Sequence, residues 1–119
     1  MTDERLPDSL GRRLWPRFPP LCESRASCHT GTLGIGRNLA VAVTDISDTG
    51  VGLILSESLM RGEVVEVGLR APGWTDEVRR MGVVVWAAAS EGETCRVGVH
   101  FSERLGPEAL RDLCRQPEP

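Results

Sequence analysis

From Asn38 onward the chain is a series of short segments in which every second side chain is apolar, separated by brief glycine-bearing turns. In "CRVGVHFS" Cys95, Val97, Val99 and Phe101 fall on one side, and Arg96, Gly98, His100 and Ser102 on the other. A period of two is the signature of a strand with one face on a core. "EVVEVGLRA" repeats it, setting Val65, Val67 and Leu69 against Val64, Glu66 and Gly68. "NLAVAVTDIS" and "VGLILSE" flank "DTG" as a hairpin. "VRRMGVVVWAAA" reads as one long strand, bent at Gly82, with Trp86 in the core or barrel wall. Upstream, "LCESRASCH" (21–29) reads as a first strand and "TGTLGIG" as a glycine-rich loop. At the end, Gly106 and Pro107 open a short helix whose Leu110, Leu113 and Cys114 form an apolar stripe. About six strands and one helix make an all-β chain. A six-stranded antiparallel β-barrel with a short C-terminal α-helix is expected, because closure removes exposed edges from so small a sheet.

A length of 119 residues suits one domain. Residues 1–10 read as a flexible lead and 11–116 as the domain, divided into an arginine loop (11–20), the barrel (21–103) and the helix (106–116). Net charge is −3, which argues against DNA, RNA or a membrane surface as partner. No apolar run reaches the length of a membrane span, and "MTDERLPDSLGRR" lacks the apolar stretch of a secretory signal. A cytoplasmic protein is expected. In that compartment Cys22, Cys28, Cys95 and Cys114 are expected as free thiols. Cys28-His29 has no second ligand pair at zinc spacing, so no metal site is expected.

All 14 basic residues are arginine. Any anion site must therefore use guanidinium groups, which grip phosphates and base edges with two parallel hydrogen bonds. "GRRLWPRFPP" places Arg12, Arg13 and Arg17 together without an acidic residue, and Pro16 disfavours a helix there. In an extended segment Arg13 and Arg17 lie up to roughly 13 Å apart with side chains on one side.

"VTDISDTGVG" raises a problem of phase. Leu39, Val41 and Val43 set an apolar face, and strict alternation would put Asp45 and Ser47 on it and Ile46 outside. A buried unpaired carboxylate is costly. A slip of period between Val43 and Ile46, a β-bulge, resolves it, turning Ile46 inward and Asp45 and Ser47 together outward. Gly50 then supplies a positive φ or a close approach to the backbone. Ordinary turn chemistry, with Asp45, Ser47 and Asp48 bonding local amides, is the plainer reading of these six residues.

Together the two segments resemble the PilZ domain family: R-x-x-x-R (Arg13, Arg17) before the first strand, then Asp-x-Ser-x-x-Gly (Asp45, Ser47, Gly50) in a barrel hairpin. "CRVGVHFSE" is similar to that family's last barrel strand, and the resemblance spans about residues 11–114. It implies a receptor for the bacterial second messenger cyclic di-GMP. Arg13 and Arg17 would clamp phosphates and guanine edges. Asp45 and Ser47 would bond a guanine, and Gly50 would admit it. Arginine suits guanine O6 and N7, while aspartate accepts from N1–H and N2–H₂. The arginine loop would fold over the ligand on binding. Arg12 is a further candidate for stacking on a second guanine. Trp15 in the loop is a stacking candidate, and His100 is a surface side chain.

No catalytic constellation stands in the sequence. Ser47 has no histidine nearby, and "GTLGIGR" lacks the Gly-Lys-Ser ending of a phosphate-binding loop. The expectation is a cyclic di-GMP receptor without a resident cofactor, acting through a protein partner as a monomer or homodimer. The alternative is a PilZ-like barrel that binds no nucleotide and serves as a protein-interaction module.

Overall fold

The computed structural model describes residues 18–20, 24–30 and 37–114. They form six strands, β1 (Arg25–Thr30), β2 (Ala40–Ser47), β3 (Gly50–Leu55), β4 (Val64–Arg70), β5 (Val78–Ala89) and β6 (Cys95–Phe101), followed by helix α1 (Pro107–Leu113). The strands make one sheet in the order β1-β4-β5-β6-β3-β2. Every pairing is antiparallel.

The alternation read from sequence is the alternation observed. Val65, Val67 and Leu69 of β4 are buried, as are Cys95, Val97, Val99 and Phe101 of β6. Val51, Leu53 and Leu55 of β3 join them, so the concave side of the curled sheet is one continuous apolar surface. Each such side chain, fully buried, contributes about 1.5–3 kcal/mol. Arg96, His100 and Ser102 face outward, as their phase requires. Cys28, Cys95 and Cys114 are free and buried; Cys22 lies outside the described residues.

The sheet curls into a half-barrel rather than closing by a full ladder. Among the described residues β1 and β2 meet where the Leu39 amide donates to the Cys28 carbonyl at 2.9 Å. The Asn38 side-chain oxygen accepts from the Cys28 and Ala40 amides, each at 2.9 Å. Farther along β2, Phe18 pairs with Ile46, and Pro20 pairs with Cys114 beyond α1. Residues 18–20 thus bridge β2 and the residue that follows α1. Leu113 of α1 is fully buried in the core, and its carbonyl accepts from the Ser24 hydroxyl at 2.8 Å.

One expectation about β5 is corrected and another is narrowed. Gly82 pairs with Phe101 in regular register, and the irregularity lies between Val84 and Trp86. The glycine is there because Val99 and the His100 backbone crowd the position a Cβ would take. Of the two places expected for Trp86, core or barrel wall, it takes the wall: the extra residue at Val85 turns Val85 and Trp86 both outward, and Trp86 is 37% exposed.

Candidate functional site

The β2–β3 hairpin carries the bulge that phase demanded. Register shifts between Val43, opposite Leu53, and Asp45, opposite Gly52. Ile46 is consequently fully buried, while Asp45 is half-buried on the other side of the strand. The Asp45 carboxylate lies over Gly52, with Oδ1 3.1 Å from where a Cβ would stand.

Ser47 departs from the expectation that it projects outward with Asp45. It is 3% exposed. Its hydroxyl donates to the Gly50 carbonyl at 3.4 Å and accepts from the Thr49 amide at 3.3 Å, closing the turn. The turn is tied down to the end of β6 and the chain that follows it. The Phe101 amide donates to the Thr49 carbonyl at 2.7 Å, and the Leu105 amide to the Asp48 carbonyl at 2.8 Å. Asp48 is itself buried, accepting from the Gly106 amide at 2.7 Å and pairing with Arg104.

Gly50 has no positive φ. Its lack of a side chain serves close approach, since the Val99 carbonyl of β6 occupies the place of a Cβ. The approaching group is the protein's own backbone.

Arg12, Arg13 and Arg17, and with them Trp15, lie outside the described residues. The first described residue after them is Phe18. Its amide donates to the Ile46 carbonyl at 2.8 Å, and the Ile46 amide donates back to the Phe18 carbonyl at 2.9 Å. Phe18 directly follows Arg17, and Ile46 directly follows Asp45.

Asp45 also acts on the thiol beyond α1. Burial pushes Cys114 up to about 11, and the negative charge of Asp45 pushes the same way. Burial alone raises Cys28 to about 11. Neither thiol is a nucleophile at neutral pH. Among the described residues no cluster of three or more His, Cys, Asp or Glu side chains is placed to hold a metal. No helix among them is long and apolar enough to cross a membrane.

A depression of about 480 Å³ lies on the flank of Trp86, lined by Arg61, Gly62, Val83, Val84, Val85 and Trp86. That lining offers a cation and apolar surface, whereas the N1–H and N2–H₂ edge of a guanine needs acceptors. Sequence reasoning missed the Asp48–Arg104 clamp, whose partners stand 56 residues apart. The only local signal was the acidic residue after Ser47.

The family model of the PilZ domain matches residues 11–116. Among solved structures the chain is similar to the inhibitor of motility MotI/DgrA of Bacillus subtilis. The TM-score is 0.59 and the identity 17%, over 86% of this chain and 48% of that one. This chain spans about half the length of that relative, and at such identity the likeness is one of fold. Comparison with curated protein sequences finds no match.

Proposed function

Because this chain belongs to the PilZ domain family, a family of cyclic di-GMP receptors and adaptors, we propose that it binds cyclic di-GMP and passes the signal to a protein partner in the cytoplasm. The observation that carries this reading is the Phe18–Ile46 pair. It joins the residue after Arg17 to the residue after Asp45. Consecutive Cα atoms are about 3.8 Å apart and a hydrogen-bonded antiparallel pair about 5.5 Å. Arg17 is covalently joined to Phe18, so this pair supports reading the arginine segment and the Asp45 turn as one site, although roughly thirty residues separate them in sequence.

In this reading Asp45 accepts from the N1–H and N2–H₂ donors of a guanine. Arg13 and Arg17 donate to O6, N7 and the phosphates, with Arg12 available to a second guanine. Ser47 and Gly50 belong to the site by fixing its turn, one through its hydroxyl and the other by admitting β6. In this reading the arginine segment folds over the bound ligand, and the altered surface is what a partner reads.

Calorimetric titration with cyclic di-GMP tests the reading. Arg13→Ala, Arg17→Ala and Asp45→Ala should each weaken binding by roughly tenfold or more, since each strands a charged partner. Glu66→Ala on β4 should not. Absence of binding to the native protein, or equal loss in Glu66→Ala, overturns the proposal and leaves the protein-interaction module as the function.

A further inference from the structure

β5 outruns its neighbour. β4 begins at Val64, opposite Val83. The last bonds on that side hold Val84, whose carbonyl accepts from the Gly62 amide at 2.7 Å and whose amide donates to the Glu63 carbonyl at 2.9 Å. The strand then runs on to Ala89 with β6 on one side only. Past the bulge its ladder with β6 is regular, from Trp86 opposite Gly98 to Ala89 opposite Cys95. The Ser90 amide donates to the Thr94 carbonyl at 3.1 Å, on the β6 side. Backbone groups alternate in direction along an antiparallel strand, so Trp86 and Ala88 also bond toward β6, while Ala87 and Ala89 present their amides and carbonyls to the open side. Among the described residues no strand covers that side. Sheets commonly blunt such an edge with charge or proline. Across residues 83–90 the sequence "VVVWAAAS" has neither, and residues 85–89 are all exposed. The short alanine side chains leave the backbone open to approach.

From this geometry we propose that the free edge of β5 is an interface for a second copy of this chain, the two β5 strands pairing antiparallel about a twofold axis at Ala88. Ala87 of each copy then stands opposite Ala89 of the other, and both pairs exchange both of their hydrogen bonds. Charge selects this occupant and this register. Pairing about Ala88 sets Glu91 of the second copy alongside Val85. Arg61 lines the same depression as Val85 and is the cation there. Glu63 nearby is already engaged, its carboxylate accepting from the Met60 amide at 2.7 Å. The hairpin tip "SEGE" carries Glu91 and Glu93, both exposed. Each copy thus offers a basic hollow where the other offers an acidic tip, and the twofold axis makes the contact twice.

Sedimentation of the native chain from micromolar to millimolar concentration tests the proposal, together with amide exchange followed by NMR over the same range. A contact this small is weak, so the mass should rise from one chain toward two only at the upper end. The Ala87 and Ala89 amides should exchange freely in the dilute chain and slow as the dimer fills. The Ala88 amide, already in the ladder, should be protected throughout. Ala87→Pro removes an amide that the chain's own ladder does not use, and should hold the protein monomeric while a cooperative melt shows it folded. Arg61→Glu and Glu91→Arg should each weaken the dimer several-fold, and the two together should restore it. A native chain that stays monomeric at millimolar concentration leaves the edge to another protein's strand and overturns the proposal. Protection of Ala87 and Ala89 already present in the dilute monomer means that the chain covers its own edge. A dimer in which those amides stay free pairs elsewhere. Either result overturns the proposal as well. Neither measurement uses cyclic di-GMP, so the outcome stands apart from the nucleotide reading.

Discussion

Phe18 and Ile46 exchange both of their backbone hydrogen bonds, at 2.8 and 2.9 Å, and so join the end of the arginine segment to the strand bearing Asp45. Phe18 also packs against the core from its partly buried position. Replacing Phe18 by proline removes the donor to Ile46 and the ring together. Melting temperature should fall by several degrees, since a hydrogen bond is worth about 1 kcal/mol and that much moves a domain of this size by about 4–8 °C. Cyclic di-GMP affinity should fall further than this loss of stability explains. Unchanged affinity in the folded variant would mean that the arginines are not delivered through this pair.

Asp48 is expected to matter more for stability than its ion-pair partner. Asp48→Ala leaves the Gly106 amide without its acceptor and Arg104 without its carboxylate. A cost of about 2 kcal/mol, or on the order of 10 °C in melting temperature, is expected. Arg104→Ala should cost less, because its side chain is 61% exposed and solvent replaces most of what it loses. Thermal melts of the two variants check the order. Because Asp48 ties the β2–β3 turn to the start of α1, its loss should also loosen the turn around Ser47.

Gly50→Ala separates packing from ligand access. Its methyl would meet the Val99 carbonyl, a backbone atom that cannot step aside without moving β6. Denaturant unfolding should show a loss of about 1–3 kcal/mol in the absence of any ligand. Native stability in that variant would contradict the role given to Gly50 here.

The thiols set an alkaline limit. Cys28 and Cys114 both rise from the ordinary 9.0 to about 11, chiefly through burial. The unfolded chain sheds these protons near pH 9 while the native chain holds them to about pH 11. Over that interval the unfolded state binds fewer protons, so stability is whole below pH 9 and declines as pH rises toward 11. Urea unfolding at about pH 8 and about pH 10 should show the decline, and Cys28→Ala/Cys114→Ala should flatten it. Asp45→Asn should lower the Cys114 thiol, because it removes the negative charge that helps to raise it.

Much of this architecture is legible in the sequence, for a physical reason. β4 and β6 each bury one face, so Val65, Val67 and Leu69, and Val97, Val99 and Phe101, recur at every second place. The slip at Asp45 was legible too, because a carboxylate cannot take an apolar position without cost. What stayed hidden depends on the neighbouring strand. A glycine inside a strand marks either a bend or a close approach, and only Val99 and His100 beside it show that Gly82 is the second. Trp86 among valines suited core or wall alike until the bulge at Val85 turned it out. Ser47 read as an outward ligand group because its cover comes from residues 101–106, far along the chain.

The central claim is that the arginine segment and the Asp45 turn form one guanine-nucleotide site. An NMR titration of the isotope-labelled protein with cyclic di-GMP addresses it most directly. The account predicts that amide shifts concentrate in residues 12–18 and 44–52 and move together with one saturation curve. Shifts confined to the Arg61–Trp86 depression, or no shifts at millimolar ligand, would contradict it.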